Sequence, residues 1–329
     1  INKIKEYNMD YAKVFETMVN ETQKYLENNN LFAMILGISG GLDSTVTAAI
    51  CHEVEKRNPE LKFYGVSLPC TSNTIDENNS ANACMKAFCK KGQYWTENLQ
   101  KEYMLMKATC TLHHSPTTIG IGNIKARLRM IYLYDLANYT KGLVMDTDNL
   151  TEHYLGFFTI HGDVCDFNPI GGLWKHEVYA LAKYIRDKYE NDMNNYHMSP
   201  DSFDWDDITT IENFKDKIAA LDAALGIRPT DGNGVNDLGD MGQIAPAFAH
   251  DKNVDAYTKV DDIIKMYLYA ITQVPDEQDK IIQELRNKYD VNNEKVTYNT
   301  VDDIISRIKR TEYKRKGLPI VITRKKVLF

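Results

Sequence analysis

A glycine-rich stretch, Gly37-Ile38-Ser39-Gly40-Gly41-Leu42-Asp43-Ser44-Thr45, separates two hydrophobic patterns of different period. The apolar run before it, Leu31–Leu36, has the length and composition of a buried strand. Apolar residues after it recur at helical spacing, at Val46, Ala49, Ile50 and Val54. The sequence therefore predicts a strand, a tight turn and a helix in this order.

The composition of this turn is suited to binding an anion. Gly40 and Gly41 have no Cβ atoms, so a ligand can approach the backbone closely. The N–H groups at the start of the following helix add positive potential, as in phosphate sites. Asp43 would repel a phosphate unless a divalent cation lay between them, and Mg²⁺ prefers such oxygen ligands. The stretch lacks the lysine of a Walker A loop.

The composition of the whole chain limits its function. With 329 residues, a net charge of -7 and a pI of about 5.7, the chain can bury a large core but has no general affinity for nucleic acid. No apolar run reaches the roughly 18 residues of a membrane span, and no secretory signal is visible. The six cysteines form no C-x-x-C pair, which is typical of reduced thiols. We expect a cytoplasmic protein that binds neither nucleic acid nor membrane.

Strand and helix patterns alternate through the first half of the chain. Further strands are predicted at Phe63–Leu68, near Tyr94 and Trp95, and at Gly142–Met145. This alternation predicts an α/β fold with a parallel sheet covered on both faces. Ligands of such sheets bind beyond the carboxyl ends of the strands. The glycine-rich turn and the turn Asp146–Asn149 both follow strands, so both can contribute to one site.

The remaining segments complete a single predicted domain, residues 1–329, with its core at about 30–190. We predict a loop at Thr109–Gly122, a helix from Gly122 to about Tyr139, and another from Leu173 to about Tyr189. A polar insertion follows at Asn191–Asp207. Helices at about Phe214–Leu225, Val260–Ile271, Glu277–Tyr289 and Thr300–Arg310 precede a basic tail, and residues 256–329 form the C-terminal helical part.

The turn Ser39-Gly40-Gly41-x-Asp43-Ser44 resembles the pyrophosphate loop of the ATP-pyrophosphatase superfamily. Further motifs make the chain resemble one family in it, the ammonia-dependent NAD synthetases. These motifs are Gly122-Asn-Ile-Lys-Ala-Arg127-x-Arg129-Met130, Thr147-Asp148-x-x-x-Glu152-x-x-x-Gly156-Phe-Phe-Thr159, Gly162-Asp163, Asn168-Pro169 and Lys175. Their order and spacing agree over about Phe32–Ile185, roughly half of the chain.

The resemblance implies a reaction, a fold and partners. The family activates the nicotinate carboxylate of deamido-NAD with ATP and Mg²⁺, forms an adenylate with release of pyrophosphate, and lets ammonia displace AMP. Its fold is a doubly wound parallel sheet, to which this chain adds C-terminal helices, and its members are homodimers. Because the loop begins at residue 37, we expect free ammonia, or ammonia from a separate protein.

The resemblance also implies roles for individual residues. Asp43 and Glu152 would bind Mg²⁺, and Lys175 and Asp166 would serve catalysis, Asp166 near the nicotinate ring. The residues implied in ATP binding are Gly37, Ile38, Ser39, Gly40, Gly41, Leu42, Asp43, Ser44, Thr147, Lys175 and Thr230. Those implied in deamido-NAD binding are Arg127, Asp166, Tyr313 and Lys314.

The sequence departs from the family pattern at several of these motifs. Asp146 replaces a glycine, Asn149 and Tyr313 replace histidines, and Ile160 replaces a lysine that contacts the dinucleotide. A glycine-rich spacer after Asp163 is replaced by Val164-Cys165.

Two rival interpretations remain open. One is a different ATP pyrophosphatase, such as a tRNA-thiolating enzyme or a GMP synthetase, although the acidic balance and the unpaired cysteines oppose thiolation. The other is a nucleotide-binding protein without turnover. The segment Glu152–Lys175, which matches NAD synthetases, argues against both.

Overall fold

The structure is a computed structural model that describes residues 9–70, 73–197, 205–226, 246–248, 251, 253–292 and 297–316. Its helices are α1 (Tyr11–Asn28), α2 (Leu42–Arg57), α3 (Ile75–Phe88), α4 (Gln100–Cys110), α5 (Thr118–Thr140), α6 (Leu150–Leu155), α7 (Lys175–His197), α8 (Trp205–Gly226), α9 (Asn253–Ala270), α10 (Pro275–Tyr289) and α11 (Thr300–Arg310). Short 3-10 helices lie at Pro246–Phe248 and Glu312–Arg315. In these described ranges, no helix combines the length and apolar character needed to cross a membrane.

Four parallel strands form the central sheet. They are β1 (Ala33–Gly37), β2 (Lys62–Ser67), β3 (Tyr94–Thr96) and β4 (Leu143–Val144), in the spatial order β3-β2-β1-β4. A two-stranded antiparallel sheet, β5 (Val291–Asn292) and β6 (Thr297–Tyr298), lies near the C-terminus. The chain moves outward from β1 in one direction and returns to add β4 on the other side. This reversal beside β1 creates a crevice at the carboxyl ends of β1 and β4.

The residues of β1 show why helices cover both faces of the sheet. Met34 and Leu36 belong to a hydrophobic cluster with residues of α1, α2, α3 and α7. Ala33 and Ile35 belong to a second cluster with residues of α4 and α5. Because successive side chains of a strand point to opposite faces, this alternation buries β1 on both sides. The predicted fold class, a doubly wound α/β protein with additional C-terminal helices, is confirmed.

The C-terminal helices pack on the same cluster as α2 and α7. Val260 and Ile264 of α9, and Ile304 of α11, are fully buried in it. Helix α9 thereby comes next to α6 and α7, the helices that follow β4 in the chain. This packing brings residues more than 80 positions apart, such as His176 and Asp261, into contact.

The prediction of a loop over Thr109–Gly122 was wrong at both ends. Helix α4 continues to Cys110, and α5 begins at Thr118 rather than at Gly122. Thr117 starts α5 early because its hydroxyl accepts a hydrogen bond from the N–H of Gly120 at 3.0 Å. Gly120 and Gly122, near the start of α5, weaken the helical pattern in the sequence without preventing the helix.

The prediction of a surface loop over the polar segment Asn191–Asp207 was also wrong at both ends. Helix α7 continues through its first residues to His197, and α8 begins at Trp205. An ion pair at helical spacing accompanies the extension: Lys188 Nζ lies 2.7 Å from the carboxylate of Asp192, one turn further along α7. Residues 198–204 lie outside the described residues.

His52 on α2 links this helix to the end of α3. Its Nδ1–H donates to the carbonyl of Phe88 at 2.8 Å. Burial, together with the positive charge of Lys217, lowers the pKa of His52 to about 3. The folded protein therefore keeps His52 neutral, whereas the unfolded chain protonates this histidine below about pH 6.5.

We expect His52 to make the protein less stable as the pH falls from 7 to 5. Because the folded state resists protonation, His52 alone should cost about 2 kcal/mol of unfolding free energy over this interval. Urea unfolding at the two pH values measures it. In His52→Asn, the loss of unfolding free energy between pH 7 and pH 5 should shrink by about that amount. His113 is exposed, so His113→Asn should lose as much as wild type. Equal losses in wild type and His52→Asn would contradict the prediction.

Candidate active site

The glycine-rich loop joins β1 to α2 at the carboxyl end of the sheet. Gly41 is the N-cap residue of α2, and Gly40 has a φ of +80°. A Cβ atom on Gly40 would lie 2.4 Å from the backbone nitrogen of Ala81 on α3. Only glycine permits both this conformation and this contact. The loop thus passes close to the backbone of α3 at Gly40.

Serine hydroxyls hold the loop in its turn. Ser39 Oγ accepts from the N–H of Gly41 at 3.2 Å and lies 3.0 Å from Ser44 Oγ. Ser44 Oγ also donates to the carbonyl of Gly41 at 3.1 Å. The first N–H groups of α2 have no acceptor within the helix, so the fixed loop presents donors for an anion.

A cavity of about 370 Å³ opens against the loop. Its volume is in the usual range for small-molecule sites. The polar lining residues outside the loop include Asn73, Glu77, Arg129, Thr147, Asp148, Glu152, Asp163 and Lys175. The loop residues that line it are Gly37, Ile38, Ser39, Gly40, Gly41, Leu42, Asp43 and Ser44. All the described residues that the sequence implied in ATP binding therefore meet at one cavity.

Asp43, Glu152 and Lys175 converge from three different elements. The Lys175 ammonium forms a short ion pair with Asp43 Oδ2 and lies 3.5 Å from Glu152 Oε1. The Lys175 side chain is only 2% exposed, and the two carboxylates are 16% and 21% exposed. Two carboxylates aimed at one cation position also fit Mg²⁺, which usually takes one or two carboxylates and completes its shell with water and substrate phosphates. Within the described ranges, no larger group of His, Cys, Asp or Glu side chains could hold a metal.

Asn149, which departs from the family pattern, connects this cluster. It caps α6: its side chain accepts from the N–H of Glu152 at 3.1 Å, and Glu152 Oε2 accepts from the N–H of Asn149 at 3.0 Å. Its Nδ2 also donates to Asp43 Oδ1 at 3.1 Å. Asn149 thus orients both carboxylates at once. The capping-box spacing of Asn149 and Glu152 was the signal for it in the sequence.

Asp146, which follows β4, makes its hydrogen bonds with the segments Asp148 and Cys165–Asn168. Its carboxylate accepts hydrogen bonds from the backbone N–H groups of Asp148 at 2.7 Å and Cys165 at 2.8 Å, and from Asn168 Nδ2 at 3.0 Å. It therefore closes the turn in which a glycine was expected.

Burial, and then the nearby carboxylates beginning with Asp146, raise the pKa of Asp148 well above its usual range.

Arg129 and Arg127 occupy different environments, as their spacing on α5 predicts. Arg129 lines the cavity, where it donates to the carbonyl of Leu68 at 2.9 Å and to Asn73 Oδ1 at 3.3 Å. Arg127 is exposed outside this lining and donates to the carbonyl of Ile160 at 3.1 Å. Arg129 is the cavity cation that the sequence reasoning did not assign; the dinucleotide role of Arg127 stays a prediction.

The other residues implied in dinucleotide binding do not line the cavity. Asp166 accepts from the hydroxyl of Tyr134 and from the N–H of Val144, both at 2.9 Å. Lys314 donates to the carbonyl oxygens of Gly156 at 2.7 Å and of Phe158, and burial lowers its pKa. Tyr313 beside it is 54% exposed. Their substrate roles stay predictions, and Thr230 lies outside the described residues.

The chain that carries this site has known counterparts in sequence and in fold. The family model for NAD synthase matches residues 14–188. The chain belongs to the NAD synthase family. It is 34% identical over 185 residues to the NH(3)-dependent NAD(+) synthetase of Campylobacter jejuni, a match that covers 54% of this chain and 69% of that protein. It is 36% identical over 180 residues to the enzyme of the same name from Carboxydothermus hydrogenoformans, covering 54% and 71%.

These relatives are ligases, so the predicted enzyme class of this NAD synthase family member is confirmed. Among solved structures, the NMN synthetase of Francisella tularensis superposes with a TM-score of 0.66. This match covers 96% of the present chain and 100% of the other, at 21% identity. It shows that the fold, including the C-terminal helices, is shared beyond residues 14–188.

Proposed function

We propose that this NAD synthase family member uses ATP to amidate deamido-NAD to NAD with ammonia, through an NAD-adenylate and with release of pyrophosphate and AMP. The observation that carries the proposal is the convergence of Asp43, Glu152 and Lys175 on one cavity beside the glycine-rich loop. These residues come from the motifs that match the family. Cleavage of ATP at its α-phosphate needs a cradle for the departing pyrophosphate, and the loop amides supply it.

The chain's own groups stabilise the charge that develops on the phosphates. The N–H groups at the start of α2 would donate to the pyrophosphate oxygens. The Lys175 ammonium would turn from its carboxylate partners toward the α-phosphate, where negative charge grows during adenylation. Asp43 and Glu152 would hold a Mg²⁺ ion, which supplies further charge neutralisation when bound. Because a carboxylate of the substrate is the nucleophile, no protein nucleophile is required.

The second step requires ammonia at the activated nicotinate. Asp166 is our proposed base for ammonium, because it is exposed and its carboxylate is oriented by Tyr134 and by the N–H of Val144. Orientation by these hydrogen bonds would keep the carboxylate in place while it accepts a proton.

We extend the proposal to a cytoplasmic homodimer. Helices α4 and α5 expose large apolar side chains, and exposed apolar patches are typical of surfaces that another protein chain covers. These are Met104, Leu105, Ile119, Ile131 and Tyr139, which are 53%, 72%, 77%, 57% and 85% exposed. A reducing compartment suits the free thiols of the described cysteines.

A shorter nicotinate nucleotide is a second candidate acceptor. The family lysine that contacts the dinucleotide is Ile160 here, and the carbonyl of this same residue takes the hydrogen bonds of Arg127. Of the implied dinucleotide contacts, one is therefore lost with the lysine, and the other, Arg127, is hydrogen-bonded to the protein itself. The name of the Francisella neighbour, NMN synthetase, makes nicotinate mononucleotide the acceptor to compare.

We expect NAD and AMP to form in equal amounts when the protein is incubated with ATP, Mg²⁺, ammonium and deamido-NAD. Chromatography of the nucleotides measures both, and a reaction without acceptor gives the background of AMP. Parallel reactions replace ammonium by glutamine, or deamido-NAD by nicotinate mononucleotide. A higher kcat/KM for the mononucleotide would replace the proposed acceptor, and AMP without any amide would point to another substrate. No AMP under any condition would contradict the proposed function.

A further inference from the structure

Asp261 on α9 is a fully buried carboxylate that contacts the two segments carrying Glu152 and Lys175. Its exposed fraction is 0%. Oδ1 accepts a short hydrogen bond from the hydroxyl of Thr151, the residue before Glu152. Oδ2 accepts from the backbone N–H of His176 at 3.1 Å, directly after Lys175. A buried charge is costly unless its oxygens are hydrogen-bonded, and these contacts satisfy both oxygens.

The imidazole of His176 adds a further hydrogen bond to Asp261. His176 Nδ1 lies 2.7 Å from Asp261 Oδ2, and His176 Nε2 lies 3.4 Å from Lys265 Nζ. A carboxylate oxygen only accepts, so His176 Nδ1 carries the proton of this hydrogen bond and donates to Asp261. Its ring fixes the carboxylate from a third direction, beside the backbone N–H and the Thr151 hydroxyl.

The hydroxyl of Thr151 connects Asp261 to Lys175. Thr151 Oγ1 donates to Asp261 and accepts from the backbone N–H of Lys175 at 2.9 Å. Lys175 and His176 are the first residues of α7, whose N–H groups have no acceptor within the helix. Asp261 and Thr151 thus cap α7 from two other helices. The negative charge of Asp261 at this helix terminus is electrostatically favourable.

Tyr257 lies one helical turn before Asp261 and contacts the other end of Lys175. The Lys175 ammonium is 5.5 Å from the centre of the Tyr257 ring. Helix α9 therefore holds the backbone of Lys175 through Asp261 and Thr151, and borders its side chain through Tyr257. Both contacts come from one face of the same helix.

We propose that Asp261 is a positioning residue that sets Lys175 for transition-state stabilisation, with Thr151 as the link between them. This inference rests on the proposed function of Lys175 at the phosphates of ATP. It assigns a role in the ATP site to the C-terminal helix α9, outside the residues 14–188 matched by the family model. Asp261 itself touches no substrate in this scheme.

A double-mutant cycle between Asp261→Asn and Lys175→Met tests this role. In Asp261→Asn, an amide NH₂ or a weaker acceptor replaces the carboxylate that faces the donors of Thr151 and His176. Lys175 should therefore shift, and kcat for AMP release should fall about 10- to 100-fold. KM for ATP should change less than kcat. In the Lys175→Met background the same substitution should lower kcat by less than about twofold, because the group that it positions is absent.

A second pair of variants tests the same role if Asp261→Asn fails to fold. Thr151→Val removes the link while keeping the side-chain shape, and it should lower kcat with the same dependence on Lys175. Thr151→Ser should restore most of the activity lost in Thr151→Val, because it restores the hydroxyl. Asp262→Asn is the matched control: its carboxylate faces Lys288 at 2.9 Å rather than α7, so it should leave kcat unchanged.

The outcomes separate this inference from the proposed function. Equal loss of kcat from Asp261→Asn with and without Lys175 would overturn the positioning role, as would full activity of Thr151→Val. If the wild-type protein forms no AMP, the proposed function fails. The double-mutant cycle is then measured as binding affinity instead of kcat. The ligand is then an ATP analogue with a methylene bridge between its α- and β-phosphates, titrated with Mg²⁺. Coupled losses of affinity support the positioning role, and additive losses overturn it.

Discussion

Asp43→Asn should lower the rate of AMP release by about 1,000-fold. The substitution keeps the shape of the side chain but removes the charge that pairs with Lys175 and that would bind Mg²⁺ next to the phosphates. Losing one preorganised electrostatic contact typically costs about 100- to 1,000-fold in rate, and here the metal contact is lost as well. Single-turnover measurement of AMP from ATP and deamido-NAD gives the rate.

Asp76→Asn is the matched control for this prediction. Asp76 is also an acidic residue in the first turn of a helix, but it is exposed on α3 and does not line the cavity. It should retain the wild-type rate. Thermal unfolding of both variants separates lost chemistry from lost folding, because Lys175 in Asp43→Asn still has Glu152 nearby. An Asp43→Asn enzyme within about tenfold of wild type would remove Asp43 from the reaction.

The sequence predicted that the loop of Asp43 and the turn before Glu152 lie at one edge of the sheet, because local patterns place each of them after a buried strand. A glycine turn after a buried strand puts Asp43 at the carboxyl end of β1, and the turn after β4 starts the helix of Glu152. Parallel strands bring these ends to one edge of the sheet. The resemblance to the NAD synthetases then implied the roles of Glu152 and Lys175. Topology and a few motifs were sufficient for this part of the site.

The sequence did not predict Asp261 in the site because tertiary packing alone brings it there. It lies on α9, and its partners Thr151 and His176 are 110 and 85 positions away. Nothing in a helical hydrophobic pattern distinguishes a buried carboxylate that caps another helix from one on the surface. The cavity position of Arg129 instead of Arg127 is similar: helical spacing separates the two, but only packing selects which one faces the cavity.

The helix boundaries that were wrong also have a local cause. The first five residues of α5 include Gly120 and Gly122, which favour a loop on intrinsic propensity. Its side chains Leu133 and Ala137 are buried against the sheet, and this burial stabilises the whole helix. In α7, Met193 and Tyr196 continue the helical spacing of Tyr189, but the charged and amide residues around them favour a loop by composition. An ion pair between successive turns accompanies this part of the helix.

Gly40→Ala should lower the free energy of unfolding by about 2–4 kcal/mol and weaken binding of the ATP analogue. Two costs combine: alanine is strained at a φ of +80°, and its Cβ would lie 2.4 Å from the backbone nitrogen of Ala81. The backbone of α3 is part of a packed helix, so relief requires movement of the loop itself. Urea unfolding and analogue titration measure the two effects.

Two other glycines separate these costs. Gly92 has a φ of +89°, and a Cβ atom added there would have no other atom within 4 Å, so Gly92→Ala should cost only about 1 kcal/mol, from backbone strain. Gly172 has the same open surroundings without a positive φ, so Gly172→Ala should change stability by less than about 1 kcal/mol. If Gly40→Ala costs no more than Gly92→Ala, the loop moves freely away from α3. Its donors would then be organised by the phosphates of ATP, and the loop would not be preformed by its packing on α3.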